Sequence, residues 1–376
     1  MTLASFFVVA TTALTVSSLE MAKRLDENTL QQLVALVGRH SQIDGYFVQR
    51  DEVNLRVQPL VDSAQWQTAL RADLETAGYK IKARSGGGAV YHLNIFPAGP
   101  RVPWVHILLF LATVASVSIL PPLLMDGPKV FKDLSLIVKW LPFSLPLLTI
   151  LLVHEFGHYL AARRRDIRVS LPYFLPAPTL IGTFGAFIKS KSPFPNRRDL
   201  VEVGAAGPVA GFVVAVIFLG WALTDVTYSQ AIANGQAYSL VEPLIVRAVS
   251  ALVQAPPPSP HHDIILQDNQ MLFAAWVGMI VTMLNLLPVG QLDGGHIVYA
   301  LFPRLHRRIS WGIFLLLVAA GFLWNGWWLW AFLLFFVVRF RHPPTLNDDL
   351  PPPRANQILG WSALLIFVLT FTPVPF

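Results

Sequence analysis

The sequence predicts an all-α polytopic membrane protein with about seven or eight transmembrane helices, one re-entrant β-hairpin and a small N-terminal α/β soluble domain. Composition carries the first part of this prediction. The chain has 376 residues, of which 54% are hydrophobic and only 13% are charged, whereas soluble domains average about 25% charged residues. The apolar residues also occur in long runs, and a helix that crosses a bilayer needs about 20 of them. Most of the chain is therefore expected to contact lipid.

Seven apolar runs are candidates for membrane-spanning helices. They are 103–124, 142–162, 203–222, 271–289, 310–323, 327–340 and 358–374. The last three are short. The segment 324–328 contains three Trp residues, an Asn and a Gly, and Trp is enriched where helices meet the membrane surface. We therefore predict a helical hairpin that turns at this segment.

The first hundred residues differ from the rest of the chain. Residues 1–19 are apolar but rich in Thr and Ser, and are either a first transmembrane segment or a signal sequence. Residues 20–100 carry frequent charges and predict a soluble α/β domain, followed by a membrane domain over 101–376. Helical patterns alternate with strand-like stretches within the soluble domain: 29–39 and 64–77, against 46–57 and 79–96.

The re-entrant hairpin is predicted in the segment 169–198. Five prolines interrupt this apolar segment, and proline costs about 3 kcal/mol in a helix interior. Non-helical backbone at membrane depth persists only where protein or a wet cavity surrounds it. The stretch 183–189 suits a strand, which completes the prediction of a hairpin. The polar segment 223–267 is instead expected to be an exposed connection with one helix near 239–253.

Composition also excludes several kinds of function. The chain has no cysteine, which excludes disulfides, thiolate-bound zinc, iron–sulfur clusters and thiol catalysis. The net charge of +6 is explained by basic residues that flank membrane spans, so a nucleic-acid partner is not expected. The lipid bilayer is the predicted partner. The oligomeric state is left open, a homo-oligomer included.

The residues His154, Glu155 and His158 carry the first chemical signal, a His-Glu-x-x-His pattern. On a helix, residues four apart share a face, so both imidazoles can bind one metal ion. Glu155 then lies beside the water that a zinc ion holds, and can take its proton as the water attacks a peptide carbonyl. The pattern lies inside an apolar run, where ionisable residues are functional by default. The alternative is a set of polar residues that bond between helices.

Asp293 is the candidate for a third metal ligand. A tetrahedral catalytic zinc has three protein ligands, and Asp293 is the other carboxylate embedded in an apolar segment. Pro288 and the glycines around Asp293 predict a break in the helix there, which can turn the carboxylate inward. The alternative is a helix-capping Asp. Asn285, in the same segment, either binds the substrate backbone or oxyanion or makes an ordinary interhelical hydrogen bond.

Together the two motifs resemble the site-2 protease family of intramembrane zinc metalloproteases. That family combines His-Glu-x-x-His with a downstream Asn-x-x-Pro and Leu-Asp-Gly segment, as this chain does over 285–294. The stretches 182–187 and 204–211 are similar to the family's membrane hairpin and its Gly-rich core helix. The resemblance covers about 142–300, the predicted catalytic core. It implies one Zn²⁺ per chain held by His154, His158 and Asp293, with Glu155 as the general base.

The resemblance also implies a substrate class and a location. It implies a metalloendopeptidase that cuts membrane proteins in or near their transmembrane segments, in regulated intramembrane proteolysis. A soluble domain followed by this pattern resembles the chloroplast and cyanobacterial branch of the family. The expected location is a bacterial inner membrane or a thylakoid or chloroplast-type membrane.

Two other functions compete with this interpretation. One is another multi-span zincin with a Glu as third ligand, for which Glu202 and Glu242 are the candidates. The other is a catalytically inactive membrane scaffold or a metal transporter. The remaining histidines are expected to have ordinary roles. His261 and His262 lie in a proline-rich polar loop, and His296 is either an ordinary helix residue or a neighbour of the metal ligands.

Overall fold

The structure is a computed structural model that describes most of the chain. It describes residues 27–49, 52–61, 63–87, 89–97, 103–226, 228–230, 243–255, 262–264, 269–338 and 340–374. The predicted first span or signal at 1–19 lies outside the described residues, as do Glu242 and His261. The chain forms two compact units, one up to Trp104 and the other from Val105. Their assignment as a soluble domain and a membrane protease domain stays a prediction.

The N-terminal unit has two helices and a four-stranded antiparallel sheet. Its elements are α1 Glu27–Gly38, β1 Ser41–Gln49, β2 Glu52–Pro59, α2 Ser63–Thr76, β3 Tyr79–Gly87 and β4 Val90–Pro97. The strand order is β1-β2-β4-β3. Both predicted helices are present. The stretch 46–57, predicted as one strand, falls on two neighbouring antiparallel strands instead.

Alternating burial explains how this small unit holds together. In β2, Val53, Leu55 and Val57 are buried, because side chains two apart point to the same face of a strand. They form one hydrophobic core with helix residues, among them Val37 and Leu70. The two helices therefore cover one face of the sheet, while the other face carries the polar positions.

The second unit is built from helices. Its elements begin with α3 Trp104–Asp126, a short 3₁₀ turn Gly127–Phe131, α4 Ser135–Lys139, α5 Leu141–Arg164 and α6 Arg197–Thr224. They continue with α7 Leu244–Leu252, α8 Gln270–Asn285, α9 Asp293–Leu301, α10 His306–Ala320, α11 Gly326–Leu333, a π-helical turn Leu334–Val338 and α12 Arg354–Thr370.

Three of the described helices, α3, α5 and α6, are long and apolar enough to cross a membrane. The apolar helices Gln270–Asn285, Gly326–Phe336 and Arg354–Thr370 are shorter. A total of seven or eight spans therefore stays a prediction. A turn does separate α10 from α11, but it lies at 321–325 and not at the predicted 324–328, since α10 ends at Ala320 and α11 begins at Gly326. The helix α8 ends at Asn285, before the predicted 289, because Pro288 disfavours helical backbone in the residue before it.

A two-stranded hairpin occupies the segment that was predicted to be non-helical. The strands β5 Tyr173–Pro176 and β6 Thr183–Phe187 pair antiparallel, and Ser116 of α3 donates a hydrogen bond to the Gly182 carbonyl, 2.6 Å away. The strand β6 also contacts α5. Its re-entry into a membrane stays a prediction. Two short paired strands, β7 Tyr228–Gln230 and β8 His262–Ile264, lie in the predicted connection and were not foreseen.

The helix α6 lies at the centre of the second unit. It packs along α5 and also contacts α8, α9 and α12. Apolar side chains of α5, α6 and α8, such as Leu147, Ala215 and Trp276, form the largest core. The outward face of α6 is apolar as well, since Ile217 and Trp221 are more than 60% exposed. An apolar exterior of this kind is typical of helices that face lipid.

Candidate metal centre

The helix α5 places His154, Glu155 and His158 in the interior of the second unit. All three side chains are buried, with exposed fractions of 3%, 4% and 5%. The two histidines are four residues apart, so their imidazoles lie one helical turn apart on one face. Their Nε2 atoms are separated by 3.2 Å. The predicted pairing of these histidines on one helix face is present in the structure.

Asp293 reaches the same point from a break between two helices. The helix α8 ends at Asn285, and α9 begins with Asp293 itself. The Asp293 Oδ2 atom lies 3.3 Å from His154 Nε2 and 3.2 Å from His158 Nε2. The break predicted from Pro288 and its neighbouring glycines therefore brings together side chains that are more than 130 residues apart.

The geometry of these three ligand atoms fits a zinc ion. His154, His158 and Asp293 are the cluster among the described residues whose ligand atoms all lie close enough to share a metal. Ligands held at about 2.0–2.1 Å from a tetrahedral zinc lie about 3.3 Å apart. The three separations of 3.2–3.3 Å match that spacing. Two imidazoles and one carboxylate are also a donor set that catalytic zinc uses.

The orientation of His158 is fixed by α6. Its Nδ1 atom lies 2.7 Å from the Val203 carbonyl oxygen, which can only accept, so Nδ1 carries the proton and Nε2 is left free as a ligand. Gly207 makes room for the ring, since a β-carbon there would lie 2.1 Å from His158 Nε2. The Gly-rich stretch 204–211, similar to the family's Gly-rich core helix, therefore shapes the space around this histidine.

Glu155 is buried with an unsatisfied oxygen. Its Oε2 atom has no hydrogen-bond partner among the described residues. A buried carboxylate oxygen without a partner is expensive, and such groups occur where water, an ion or catalysis uses them. Because Glu155 follows His154 directly, this oxygen is suited to act on a water molecule at the metal.

Asn285 lies at the edge of the same site. Its Nδ2 atom is 3.4 Å from His154 Nε2, and it is the last residue of α8. An amide in this place can donate a hydrogen bond to a substrate carbonyl or to an oxyanion. Because His154 belongs to α5, this contact also joins two helices, so both predicted roles of Asn285 stay open.

Of the two alternative third ligands, Glu202 is bound elsewhere. Glu202 forms a two-fold ion pair with Arg165, which follows α5 at its basic end. Glu242 lies outside the described residues. Among the described carboxylates, Asp293 is the one grouped with the two histidines, so the geometry favours it over Glu202.

Comparison with known proteins identifies the family. The profile described as "Peptidase family M50" matches residues 142–320, a range that contains the two histidines, Glu155 and Asp293. The chain belongs to this family of site-2 proteases. The resemblance inferred from the two motifs is thereby confirmed.

Two of the similar curated proteins come from plants. The "Probable zinc metalloprotease EGY2, chloroplastic" of Oryza sativa subsp. indica is 32% identical over 261 residues, 68% of this chain and 47% of the relative. The "Probable zinc metalloprotease EGY1, chloroplastic" of Arabidopsis thaliana is 31% identical over 310 residues, 73% of this chain and 54% of the relative. The chain thus spans about half the length of these relatives. No solved structure matches it.

These comparisons bear on the predicted enzyme class and cofactor. Both predictions, a zinc metalloprotease and zinc, match the peptidase family and the printed names of the relatives. The similarity to chloroplastic relatives agrees with the predicted branch. The roles of the individual site residues stay predictions, which the geometry above supports.

Proposed function

We propose that this M50 member is an intramembrane zinc metalloendopeptidase that hydrolyses peptide bonds in or near the transmembrane segments of membrane proteins. One observation carries the proposal. Three ligand atoms converge within 3.3 Å of one another beside a buried carboxylate oxygen that has no partner. This site lies in a unit whose outer helix surfaces are apolar, so the reaction takes place among lipid-facing helices.

The proposed roles follow from the geometry. His154, His158 and Asp293 hold the zinc ion, which when bound supplies Lewis-acid chemistry and activates water at neutral pH. Glu155 accepts the proton of the attacking water at Oε2 and returns it to the leaving amine. Asn285 donates a hydrogen bond to the carbonyl oxygen of the scissile peptide, where negative charge develops.

The proposed substrates are membrane proteins, cut in the course of regulated intramembrane proteolysis. Support comes from the apolar helices that surround the site and from the family match. The chloroplastic names of the plant relatives support a thylakoid or chloroplast-type membrane, or the related membrane of a bacterium. Multi-pass insertion follows if α3, α5 and α6 all cross the bilayer.

The test separates the base from a metal ligand in one preparation. We expect Glu155→Gln to lower cleavage of a helical test substrate in detergent by about 10²–10⁴-fold, the usual contribution of a general base. Its zinc content should stay near that of the unchanged protein, because Glu155 is not a ligand. Asp293→Asn should instead weaken zinc binding by at least about tenfold, since even partners of metal ligands contribute that much.

Glu202→Gln provides the matched control. Glu202 pairs with Arg165 away from the ligand group, so this variant should keep both zinc and activity. Full zinc affinity and activity in Asp293→Asn would show that Asp293 is not a ligand. Unchanged cleavage in Glu155→Gln would remove the proposed base and favour an inactive scaffold. Membrane proteins that accumulate uncut in cells with Glu155→Gln would identify the substrates.

A further inference from the structure

Asp293 lies on a helix that needs support from outside the metal centre. It is the first residue of α9, and the preceding Leu292 has extended backbone with no side-chain cap for the helix. On one side, Gly294 lets the first turn of α9 pack closely on the backbone just after α8, since a β-carbon at Gly294 would lie 1.9 Å from the Leu286 carbonyl oxygen. The position of the third ligand therefore depends on what holds the other side of α9.

Besides α6, α10 and α12, α9 is contacted by the segment 341–350, here named the strap. One turn after Asp293, His296 Nδ1 lies 2.6 Å from His342 Nε2. Further along α9, the Tyr299 ring stacks on the His342 ring, with centroids 4.3 Å apart and planes at 20°. The Tyr299 hydroxyl also donates a hydrogen bond to Asp348. Two residues of α9 thus contact His342 directly.

The proton positions in this chain of contacts can be assigned. His342 Nδ1 lies 2.6 Å from the Pro343 carbonyl oxygen, which only accepts, so His342 Nδ1 carries the proton. Burial lowers the pKa of both His342 and His296 below the ordinary value, which keeps both imidazoles neutral at neutral pH. His342 Nε2 then accepts a hydrogen bond from His296 Nδ1–H.

The strap is in turn fastened to the start of α6. The Leu346 amide donates to the Phe194 carbonyl at 2.9 Å, and the Asn347 amide donates to the Pro195 carbonyl at 3.1 Å. The Arg197 Nε atom donates to the Leu350 carbonyl at 3.1 Å. The helix α6 that begins here also orients His158 through the Val203 carbonyl. The strap therefore connects the helix that fixes a histidine ligand to the helix that carries Asp293.

We propose that His342 is a positioning residue that sets the distance between Asp293 and the histidine pair, acting through His296 and Tyr299. It touches no ligand atom itself. Its Nε2 atom accepts from His296 and its ring stacks on Tyr299, which fixes the position of α9 relative to α6 so that the three ligand atoms lie close together. This inference rests on the proposed zinc site. It adds a residue that is neither a zinc ligand nor the base, and that lies 49 positions after Asp293 in the chain.

Zinc titration of the full chain in detergent tests this proposal, with the dissociation constant as the readout. Removing a hydrogen-bond partner from around a metal site typically weakens metal affinity about 10–100-fold. We expect a loss of that size in His342→Ala and in His342→Phe, which keeps a flat ring but has no acceptor. His342→Gln places an amide oxygen near the position of Nε2, and should bind zinc within about threefold of the unchanged protein.

Leu346→Ala is the matched control on the same strap, because its side chain is 72% exposed while its backbone bond to Phe194 is kept. The thermal midpoint of the zinc-free protein is measured for every variant. The proposal is overturned if His342→Phe binds zinc as tightly as the unchanged protein, if His342→Gln is as weak as His342→Phe, or if Leu346→Ala loses as much affinity. A fall in the midpoint without a change in zinc affinity would also overturn it, since the role would then be structural only.

The same titration distinguishes this proposal from the proposed function. Asp293→Ala is included as a reference variant. If Asp293→Ala binds zinc as well as the unchanged protein, the zinc site itself is wrong and the proposed function fails. If Asp293→Ala loses zinc while the His342 variants do not, the zinc site stands and the positioning role of His342 is rejected.

Discussion

The two units of this chain differ in how polar and apolar side chains are divided between the interior and the surface. In the N-terminal unit, Val53, Leu55 and Val57 point into a common core and the charged residues face outward. In the second unit, His154 and Glu155 are almost fully buried, while Val213 and Trp221 are more than half exposed. The first pattern is what water imposes on a folded chain. The second is the pattern of a chain solvated by lipid, where buried ionisable groups mark the functional site.

This difference changes how a polar residue is interpreted in each unit. In the N-terminal unit, His40 pairs with Asp73 at the surface, and such pairs contribute little to stability. In the second unit, the buried polar side chains of α5 converge with Asp293 of α9 on one point. The same residue type is therefore ordinary in one unit and informative in the other.

The largest expected effect is the loss of a core side chain in the N-terminal unit. Leu70 is fully buried, and Leu70→Ala should destabilise this unit by about 2–5 kcal/mol, the usual range for such a cavity. Hydrogen exchange of the β2 and β4 amides in the full chain measures that free energy. Leu60→Ala, at a side chain that is 62% exposed, should change it by no more than about 0.5 kcal/mol. Zinc affinity should not change, and a parallel loss of zinc would show that the two units are coupled.

The next largest effect is on membrane insertion, and it compares the same substitution at two exposed valines. Val213 lies in the middle of α6 and is 51% exposed, whereas Val61 lies in the N-terminal unit and is 61% exposed. Val213→Asp should cost about 2.5–3.5 kcal/mol of membrane insertion, as for a carboxylate at the centre of a spanning helix. Val61→Asp should be close to neutral. Insertion is measured as the membrane-integrated fraction of the newly made chain, and equal outcomes for both valines would contradict the lipid-facing assignment of α6.

The smallest of the three concerns one methyl group beside the metal site. A β-carbon at Gly207 would lie 2.1 Å from His158 Nε2, whereas at Gly220 of the same helix the nearest atom would be 3.8 Å away. Gly207→Ala should displace His158 and weaken zinc binding about 10–100-fold, or about 1.4–2.7 kcal/mol. Gly220→Ala should leave the zinc dissociation constant within about twofold. If both variants bind zinc normally, the His158 ring can move away from a β-carbon at Gly207 without losing the metal, which would contradict this prediction.

Features of the fold that depend on local pattern were predictable. The apolar runs predicted α3, α5 and α6 to within a few residues, except that α6 begins six residues earlier, at Arg197. The side chain of Asn196 caps that helix by accepting from the Asp199 amide, which extends it past the apolar run into a polar first turn. The prolines of 169–198 predicted the absence of a helix. The pairing of β7 with β8 had no such signal, because the two strands are three residues each and about 30 residues apart.

The metal centre was predictable in parts. The spacing of His154 and His158 placed them on one helix face, and the helix break around Pro288 singled out Asp293. His342 was interpreted as an ordinary residue, and His296 as either an ordinary helix residue or a neighbour of the metal ligands. Their contact was not predicted, since no spacing relates two side chains 46 residues apart that belong to different elements. The structural meaning of Gly207 was also missed, because a glycine in a Gly-rich helix does not indicate which side chain fills the space beside it.

The sequence by itself determined the parts that follow from a repeat distance or from solvent preference. Helical periodicity places His154 and His158 on one helix face, and the scarcity of charged residues predicts that most of the chain contacts lipid. Only the tertiary structure shows that Asp293 lies within 3.3 Å of both histidine Nε2 atoms, that the Val203 carbonyl contacts His158 and that His342 contacts α9. The physical reason is range. Backbone geometry relates residues within a few turns, whereas these contacts join distant segments that meet only when α6 packs between α5, α8 and α9.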